Sequence, residues 1–150
     1  YERIAPPADP LGKSRHSLTY GPSLRVRNSS ASEKSREGVF LGYRLDSSGT
    51  PIFLQTIGHW KIEEKLESLE DGRLKRTWWL SSDAETQESN ILELNVVPQG
   101  KYQRPEPNTI VENSGLKIVL SGIKKPEPTA TGWRLPLTKN HRQIEVQYQW

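Results

Sequence analysis

The sequence predicts an all-β fold: an antiparallel β-sandwich of about eight or nine strands with an extended N-terminal arm. From Gly38 onward, short apolar or alternating runs recur at regular intervals and are separated by turn-forming residues. No stretch of twelve residues repeats apolar side chains at the i, i+3, i+4 and i+7 positions of an amphipathic helix. Because one sheet alone would leave an apolar face in water, we expect two sheets packed face to face.

Residues 1–37 differ in composition from the rest and are assigned to an extended, basic arm rich in proline and serine. Residues 5–10 favour turns and polyproline conformation, and only residues 18–20 and 23–26 have strand-like sequence. The arm carries seven basic and four acidic residues, whereas residues 38–150 carry fourteen of each, so the net charge of +3 belongs to the arm. The sandwich domain is assigned to residues 38–150, and a flexible linker is the alternative interpretation of the arm.

The first part of the domain predicts two hairpins. Residues 39–45 and 51–57 form the first, and residues 60–65 and 74–80 form the second, with Asp71-Gly72 as its turn signal. Strict alternation in the first strand predicts a shared face for Val39, Leu41, Tyr43 and Leu45.

The second part adds a strand at 91–97, whose inward side chains are predicted to be Leu92, Leu94 and Val96. A long loop is expected at 99–108, followed by a hairpin of residues 109–112 and 116–120 that turns at Asn113-Ser114-Gly115.

A further loop at 122–132 leads to a short strand at 133–137, which Pro136 places at a sheet edge. The last strand, at 143–150, shows the clearest alternation and predicts one face made of Ile144, Val146, Tyr148 and Trp150.

Composition excludes several classes of protein. The chain has no cysteine, which excludes disulfides, cysteine-ligated zinc and covalent haem attachment within it. The balanced charge of residues 38–150 is not that of a nucleic-acid binder, and no apolar run is long enough to span a bilayer. Because the chain also lacks methionine, Tyr1 is not an initiator residue, and we expect a processed, trimmed or excised piece of a longer chain.

No motif for catalysis or metal binding is present. His16, His59 and His141 are far apart in sequence, and Glu63 and Glu64 point to opposite faces of their predicted strand. The glycine and serine spacings match neither a phosphate-binding loop nor a nucleophile elbow. We therefore assign no catalytic, cofactor-binding or metal-binding residue, and we expect no catalysis by this chain alone.

The aromatic residues are the remaining candidates for a binding site. Trp78 and Trp79 are adjacent on one predicted strand and therefore point to opposite faces, so one of them is expected outside the core. The other candidates for an interface or a sugar-stacking surface are Trp60, Tyr43, Trp133 and Tyr102. Three interpretations stay open, namely a protein interface, burial in the core, and a platform for sugar rings.

Three stretches resemble a known kind of module. Residues 39–53, 74–77 and 144–150 read VFLGYRLDSSGTPIF, LKRT and IEVQYQW. They resemble a β-rich module found beside c-type cytochrome and sorbosone-dehydrogenase-like domains in large secreted proteins of Planctomycetes and relatives. The similarity spans residues 38–80 and 143–150, about a third of the chain.

The resemblance implies a periplasmic or extracellular redox assembly in which this module is structural or mediates docking. Because the haem-attachment motif Cys-x-x-Cys-His is absent, haem c or the dehydrogenase centre is implied on a partner chain or another domain. The expected partners are other protein subunits or domains. The alternative hypothesis is a carbohydrate-binding module that uses exposed Trp79, Trp60 or Trp133. Neither hypothesis includes nucleic acid or a membrane span.

Overall fold

The computed structural model describes residues 23–28, 36–82, 90–97, 102–137 and 143–150. These residues form thirteen β-strands and no helix. The strands are β1 (Leu24–Asn28), β2 (Arg36–Glu37), β3 (Val39–Leu45), β4 (Pro51–Ile57), β5 (Trp60–Ser68), β6 (Leu74–Ser82), β7 (Asn90–Asn95), β8 (Tyr102–Glu106), β9 (Thr109–Glu112), β10 (Lys117–Ser121), β11 (Glu127–Pro128), β12 (Gly132–Leu137) and β13 (Gln143–Gln149).

The strands build two antiparallel sheets, which confirms the predicted all-β sandwich. The smaller sheet has the order β11-β12-β7-β1-β2, and the larger sheet has the order β3-β4-β5-β6-β13-β10-β9-β8. Alternate side chains from the facing sides of both sheets form one core. Its least exposed members include Trp78, Leu92, Leu94, Ile110, Ile118, Trp133 and Val146.

The predicted hairpins are confirmed as β3–β4, β5–β6 and β9–β10. The β5–β6 turn uses the expected Asp71-Gly72 pair, and Gly72 has a φ of 80°, which residues with a Cβ rarely adopt. The predicted inward residues of β7 are also confirmed, because Leu92, Leu94 and Val96 are buried.

Strand β1 corrects the boundary between arm and domain. It falls within residues 1–37, yet it lies between β7 and β2 in the smaller sheet, and its Leu24 and Val26 belong to the core. Its two inward side chains are too short a pattern to distinguish a core strand from an arm. Of the range assigned to the arm, residues 1–22 and 29–35 lie outside the described residues.

Strand β8 is a second correction, because residues 99–108 were predicted to form a loop. Pro105 makes the sequence of β8 look like a loop. However, β8 is the last strand of the larger sheet, and proline is tolerated in an edge strand. A register shift between Gln103 and Glu106 further interrupts its pairing with β9. With β1, β8 and the two-residue strands β2 and β11, the strand count exceeds the predicted eight or nine.

The prediction that Pro136 lies at an edge holds for only one end of its strand. Strand β12 lies between β11 and β7, so it is not the edge strand of its sheet. However, β11 pairs only with Trp133 and Arg134. Within the part of the chain that the structure describes, Pro136 has a partner only on the β7 side of its strand, where it faces Ile91.

Gly38 marks the place where the chain passes from one sheet to the other. Strand β2 ends the smaller sheet at Glu37, and β3 begins the larger sheet at Val39. A Cβ at Gly38 would collide with the side-chain amide oxygen of Gln55. After this crossing, β3 is an edge strand of the larger sheet, next to β4.

Candidate functional site

The inner face of the larger sheet continues beyond the part that is buried. Directly paired residues of antiparallel strands lie on the same face. Trp78 of β6 pairs with Glu64, Glu64 with Phe53, and Phe53 with Tyr43. Along this row the exposed fraction rises from 0% at Trp78 to 41% at Phe53 and 63% at Tyr43. Towards β3, the face that forms the core is therefore open to solvent.

Five apolar side chains occupy this uncovered area, which we call the open face. They are Phe40, Tyr43, Leu45, Phe53 and Leu66. The Phe53 ring lies 6.5 Å from Phe40 and 6.4 Å from Tyr43, measured between ring centroids, with interplanar angles of 46° and 56°. The three rings form a tilted cluster, the arrangement that aromatic side chains prefer in contact.

Strand β3 exposes apolar side chains on its other face as well. Val39 pairs with Thr56 on the outer face, and it is 63% exposed. Leu41, also 63% exposed, lies at a register shift between Phe40 and Gly42. A strand that is apolar on both faces is typical of a sheet interior, whereas β3 lies at the edge.

The register shift overturns the predicted shared face of β3. Val39 lies on the outer face, while Tyr43 and Leu45 lie on the inner face. Gly42 has a φ of 133° and permits the irregular backbone. One extra residue in a strand reverses the alternation beyond it, and sequence periodicity alone does not reveal such a bulge.

An ion pair between Glu64 and Arg76 marks the border between the open face and the core. The Arg76 guanidinium lies 4.6 Å from the centroid of the Trp78 ring, a cation–π contact. Burial by itself lowers the pKa of Arg76, but the interactions with Glu64 and Tyr148 together outweigh this effect, and the pKa lies above its usual value. Burial raises the pKa of nearby Tyr148, against the opposing effect of the Arg76 cation. Both groups therefore keep their ordinary charge at neutral pH.

The turn of the β3–β4 hairpin is held by Asp46. Its Oδ1 accepts hydrogen bonds from the backbone N–H groups of Ser48 at 2.8 Å and Thr50 at 2.9 Å. Its Oδ2 lies 2.6 Å from Nζ of Lys65 on β5. The Lys65 ammonium, followed by the bonds from Ser48 and Thr50, holds the pKa of Asp46 well below its usual range. On the outer face, Arg44 pairs with Glu63 at 3.2 Å. These contacts fasten β3 to its sheet.

Three of the aromatic site candidates are buried in the core. The exposed fractions are 8% for Trp60, 0% for Trp78 and 0% for Trp133. The Nε1 of Trp133 donates a hydrogen bond to the backbone oxygen of Pro107 at 2.8 Å. These side chains are not accessible to a sugar or to a partner protein.

Tyr102 and Trp79 are half-buried. The Tyr102 hydroxyl donates to the backbone oxygens of Thr129 at 3.1 Å and Ala130 at 2.7 Å. Arg104 has its guanidinium 5.4 Å from both the Tyr102 and Trp133 ring centroids and donates to the oxygen of Thr129 at 2.7 Å. This group ties β8 to the loop between β11 and β12.

Trp79 lies on the outer face, as expected from the core position of Trp78, because it pairs with Glu63 and Gln143. Trp150 follows the end of β13 and is 55% exposed, whereas the alternation placed it with the buried residues Ile144, Val146 and Tyr148.

Of the aromatic residues considered from sequence, only Tyr43 lies on the open face. Phe40 and Phe53 were not considered. Their signal was the run at residues 39–45, where apolar residues stand at both odd and even positions. Such a run is typical of a strand that is covered on both faces, and it is the sequence signal that points to β3.

The described residues contain no group of three or more histidine, cysteine, aspartate or glutamate side chains that could hold a metal ion. His59 is described, whereas His16 and His141 lie outside the described residues. Within the described ranges, no helix has the length and apolarity needed to cross a membrane.

Comparison of the chain with protein-family models, with curated proteins and with solved structures gave no match.

Proposed function

We propose that this chain is a non-catalytic docking module that binds protein through the open face and through the adjacent free edge of β3, the side on which no strand of the described residues pairs with it. The observation that carries the proposal is the set of five apolar side chains, 41–65% exposed, on the inner face of the larger sheet. Contiguous apolar surface of this kind marks interaction sites on soluble proteins. Full burial of one such side chain contributes about 1.5–3 kcal/mol, so covering this cluster would drive association.

The free edge of β3 supplies the second part of the docking surface. An edge strand presents unpaired backbone N–H and C=O groups, to which another strand can bind. Natural edges are often protected by charged side chains. In β3 the one charged residue is Arg44, and its guanidinium pairs with Glu63 of its own sheet. Charge therefore does little to oppose the approach of an apolar partner strand.

The cellular context of the proposal rests on the resemblance in residues 38–80 and 143–150. In that context the module is a structural or docking part of a periplasmic or extracellular redox assembly, with haem c or a dehydrogenase centre on a partner. The module would supply binding surface and leave electron transfer to that partner.

Carbohydrate binding has less support from the geometry. Of the three tryptophans considered for it, Trp60 and Trp133 are buried, and Trp79 is half-buried. The exposed rings of the open face are inclined to each other by 46° and 56°. They therefore do not form one flat platform for a row of sugar rings.

Hydrogen–deuterium exchange tests the docking surface. The assembly isolated from its source is compared with the purified chain, peptide by peptide. We expect amides of 39–45 to exchange at least about tenfold more slowly in the assembly, because binding suppresses local opening at a strand edge. Amides of 102–106, in the edge strand at the opposite side of the same sheet, serve as the control and should change little.

Equal exchange of residues 39–45 in both samples would refute docking at β3. A visible absorption spectrum of the same assembly tests the redox context independently. A haem Soret band is expected from a c-type cytochrome partner, and an assembly without any redox chromophore would contradict that context while leaving the docking surface in place.

A further inference from the structure

We propose that Leu18 and Tyr20, which precede β1 in the chain, pack on Phe40 and Phe53 at the end of the open face where β3 begins. They would cover this part of the open face until a partner protein displaces them. The inference rests on the proposed docking function, because it names a segment of the chain that competes with the partner for the docking surface.

The first argument is the path of the chain into β1. Strands β1 and β2 are antiparallel, and Arg25 pairs with Glu37. The chain before Ser23 therefore leaves the smaller sheet on the side towards which the chain after Glu37 crosses to β3. Continued by two residues, the same register would place Ser23 level with Val39, the first residue of β3. Residues 1–22 thus join the described part of the chain beside the start of the open face.

The second argument is length. Neighbouring strands lie about 5 Å apart and stacked sheets about 10 Å apart, so the gap from Ser23 to the start of β3 is on the order of 10 Å. The extended chain from Leu18 to Ser23 spans up to about 17 Å. Leu18 and Tyr20 can therefore reach Phe40. Leu45, at the far end of β3, lies about 20 Å beyond the start of that strand and stays open.

The third argument is composition. Five segments of the chain lie outside the described residues, namely 1–22, 29–35, 83–89, 98–101 and 138–142. Only the first of them contains leucine, isoleucine or tyrosine. Leu18 and Tyr20 are separated by Thr19 alone, so in an extended chain both point to the same face. If the chain itself covers the apolar rings, residues 1–22 are the segment that can do so.

The fourth argument is charge and chain direction. Residues 17–22 carry no charge, so packing them on an apolar surface removes no ion from water. The ions at the border of the open face, Glu64 and Arg76, are paired with each other. Between Tyr20 and β1 lie Gly21 and Pro22, which are common in turns and allow the chain to change direction there.

The size of the contact explains why a partner can displace it. Leu18 and Tyr20 offer two side chains, whereas the open face exposes five. A partner that covers the whole open face buries more apolar area and is therefore favoured over the two side chains.

Nuclear Overhauser spectroscopy of the isotope-labelled, purified full chain tests the contact. We expect cross-peaks from the methyl protons of Leu18 to the ring protons of Phe40 and Phe53. The methyl groups of Leu11, further from β1, are the control and should show no such cross-peaks. Absence of cross-peaks between Leu18 and these rings would overturn the inference.

Reassembly tests the competition with a partner. The wild-type chain and Leu18→Asp are mixed in equal amounts with the other subunits of the native assembly, and native mass spectrometry measures the incorporation of each. We expect Leu18→Asp to be incorporated at least about threefold more than the wild type, because its open face needs no prior uncovering. Leu11→Asp adds the same charge outside the contact and should be incorporated equally with the wild type.

Circular dichroism verifies that both variants keep their sheet structure. Equal incorporation of Leu18→Asp and the wild type would overturn the competition.

The exchange of residues 39–45 in the native assembly tests the docking function separately. Slow exchange there without the Leu18 cross-peaks would overturn the Leu18 contact and leave docking at β3 in place. The Leu18 cross-peaks combined with equal exchange of 39–45 would refute docking and, with it, the competition.

Discussion

At the scale of single residues, Asp46 shows how a few polar contacts position an apolar surface. Its carboxylate binds the backbone of its own turn and the Lys65 ammonium of a neighbouring strand. Because the folded state holds the pKa of Asp46 below its usual value, the contribution of this carboxylate to stability is complete above the ordinary aspartate pKa of about 3.9. It is lost as the pH falls towards the lower folded-state pKa.

The substitution Asp46→Asn should therefore weaken the pH dependence of stability. Between about pH 6 and pH 3, the wild-type chain should lose more unfolding free energy than the variant, as measured by denaturant unfolding. Glu70→Gln, which removes an exposed carboxylate from the next hairpin turn, is the control and should retain the wild-type slope. Identical slopes for the wild type and Asp46→Asn would show that the Asp46 contacts do not form in solution.

The residues of the site were only partly predictable from sequence. Alternation placed Trp78 and Trp79 on opposite faces, which holds, because adjacent residues of a regular strand always diverge. It did not show that Trp60 and Trp133 are buried, since this depends on which strands of the other sheet cover them. The exposure of Phe40 and Phe53 was not predictable either, because the sequence of one strand does not show how far the opposite sheet extends over it.

At the scale of elements, hairpins were predictable and distant pairings were not. Turn residues identify the β3–β4, β5–β6 and β9–β10 hairpins locally. The pairing of β1 with β7, and of β6 with β13, joins segments far apart in sequence. Nothing in local alternation specifies such neighbours, so the sequence of β1 reads as part of the arm. Strand β8 was not predictable from sequence, because its proline and its register shift interrupt the strand pattern.

One distant pairing can be tested through Gly132 of β12. This buried glycine faces β7, and a Cβ there would collide with the backbone carbonyl of Leu94. Gly132→Ala should destabilise the chain by about 1–3 kcal/mol, as overpacking against backbone does, measured by chemical denaturation. Gly38→Ala is the matched control, because its Cβ would meet the mobile end of the Gln55 side chain and the loss should be smaller. Equal losses for both variants would contradict the close packing of β12 on β7.

At the scale of the whole molecule, the two edge strands of the larger sheet differ in their contacts with the rest of the protein. At one edge, β8 is tied to the smaller sheet through Tyr102 and Arg104, which bond to backbone oxygens near β12. At the other edge, β3 has apolar side chains on both faces and no neighbour on its free side among the described residues. The first edge completes the sandwich, and the second is available for association.

The most direct test of the docking surface uses the absence of cysteine from the chain. Leu45→Cys places a single thiol on the open face and leaves the aromatic cluster intact, while Gln103→Cys places one on β8. We predict that maleimide labels the Leu45→Cys thiol at least about tenfold more slowly in the native assembly than in the dilute, dissociated chain, since bound protein excludes the reagent. Labelling of Gln103→Cys should be equally fast in both. Equal labelling of Leu45→Cys in the two samples would contradict the proposal that the open face binds protein.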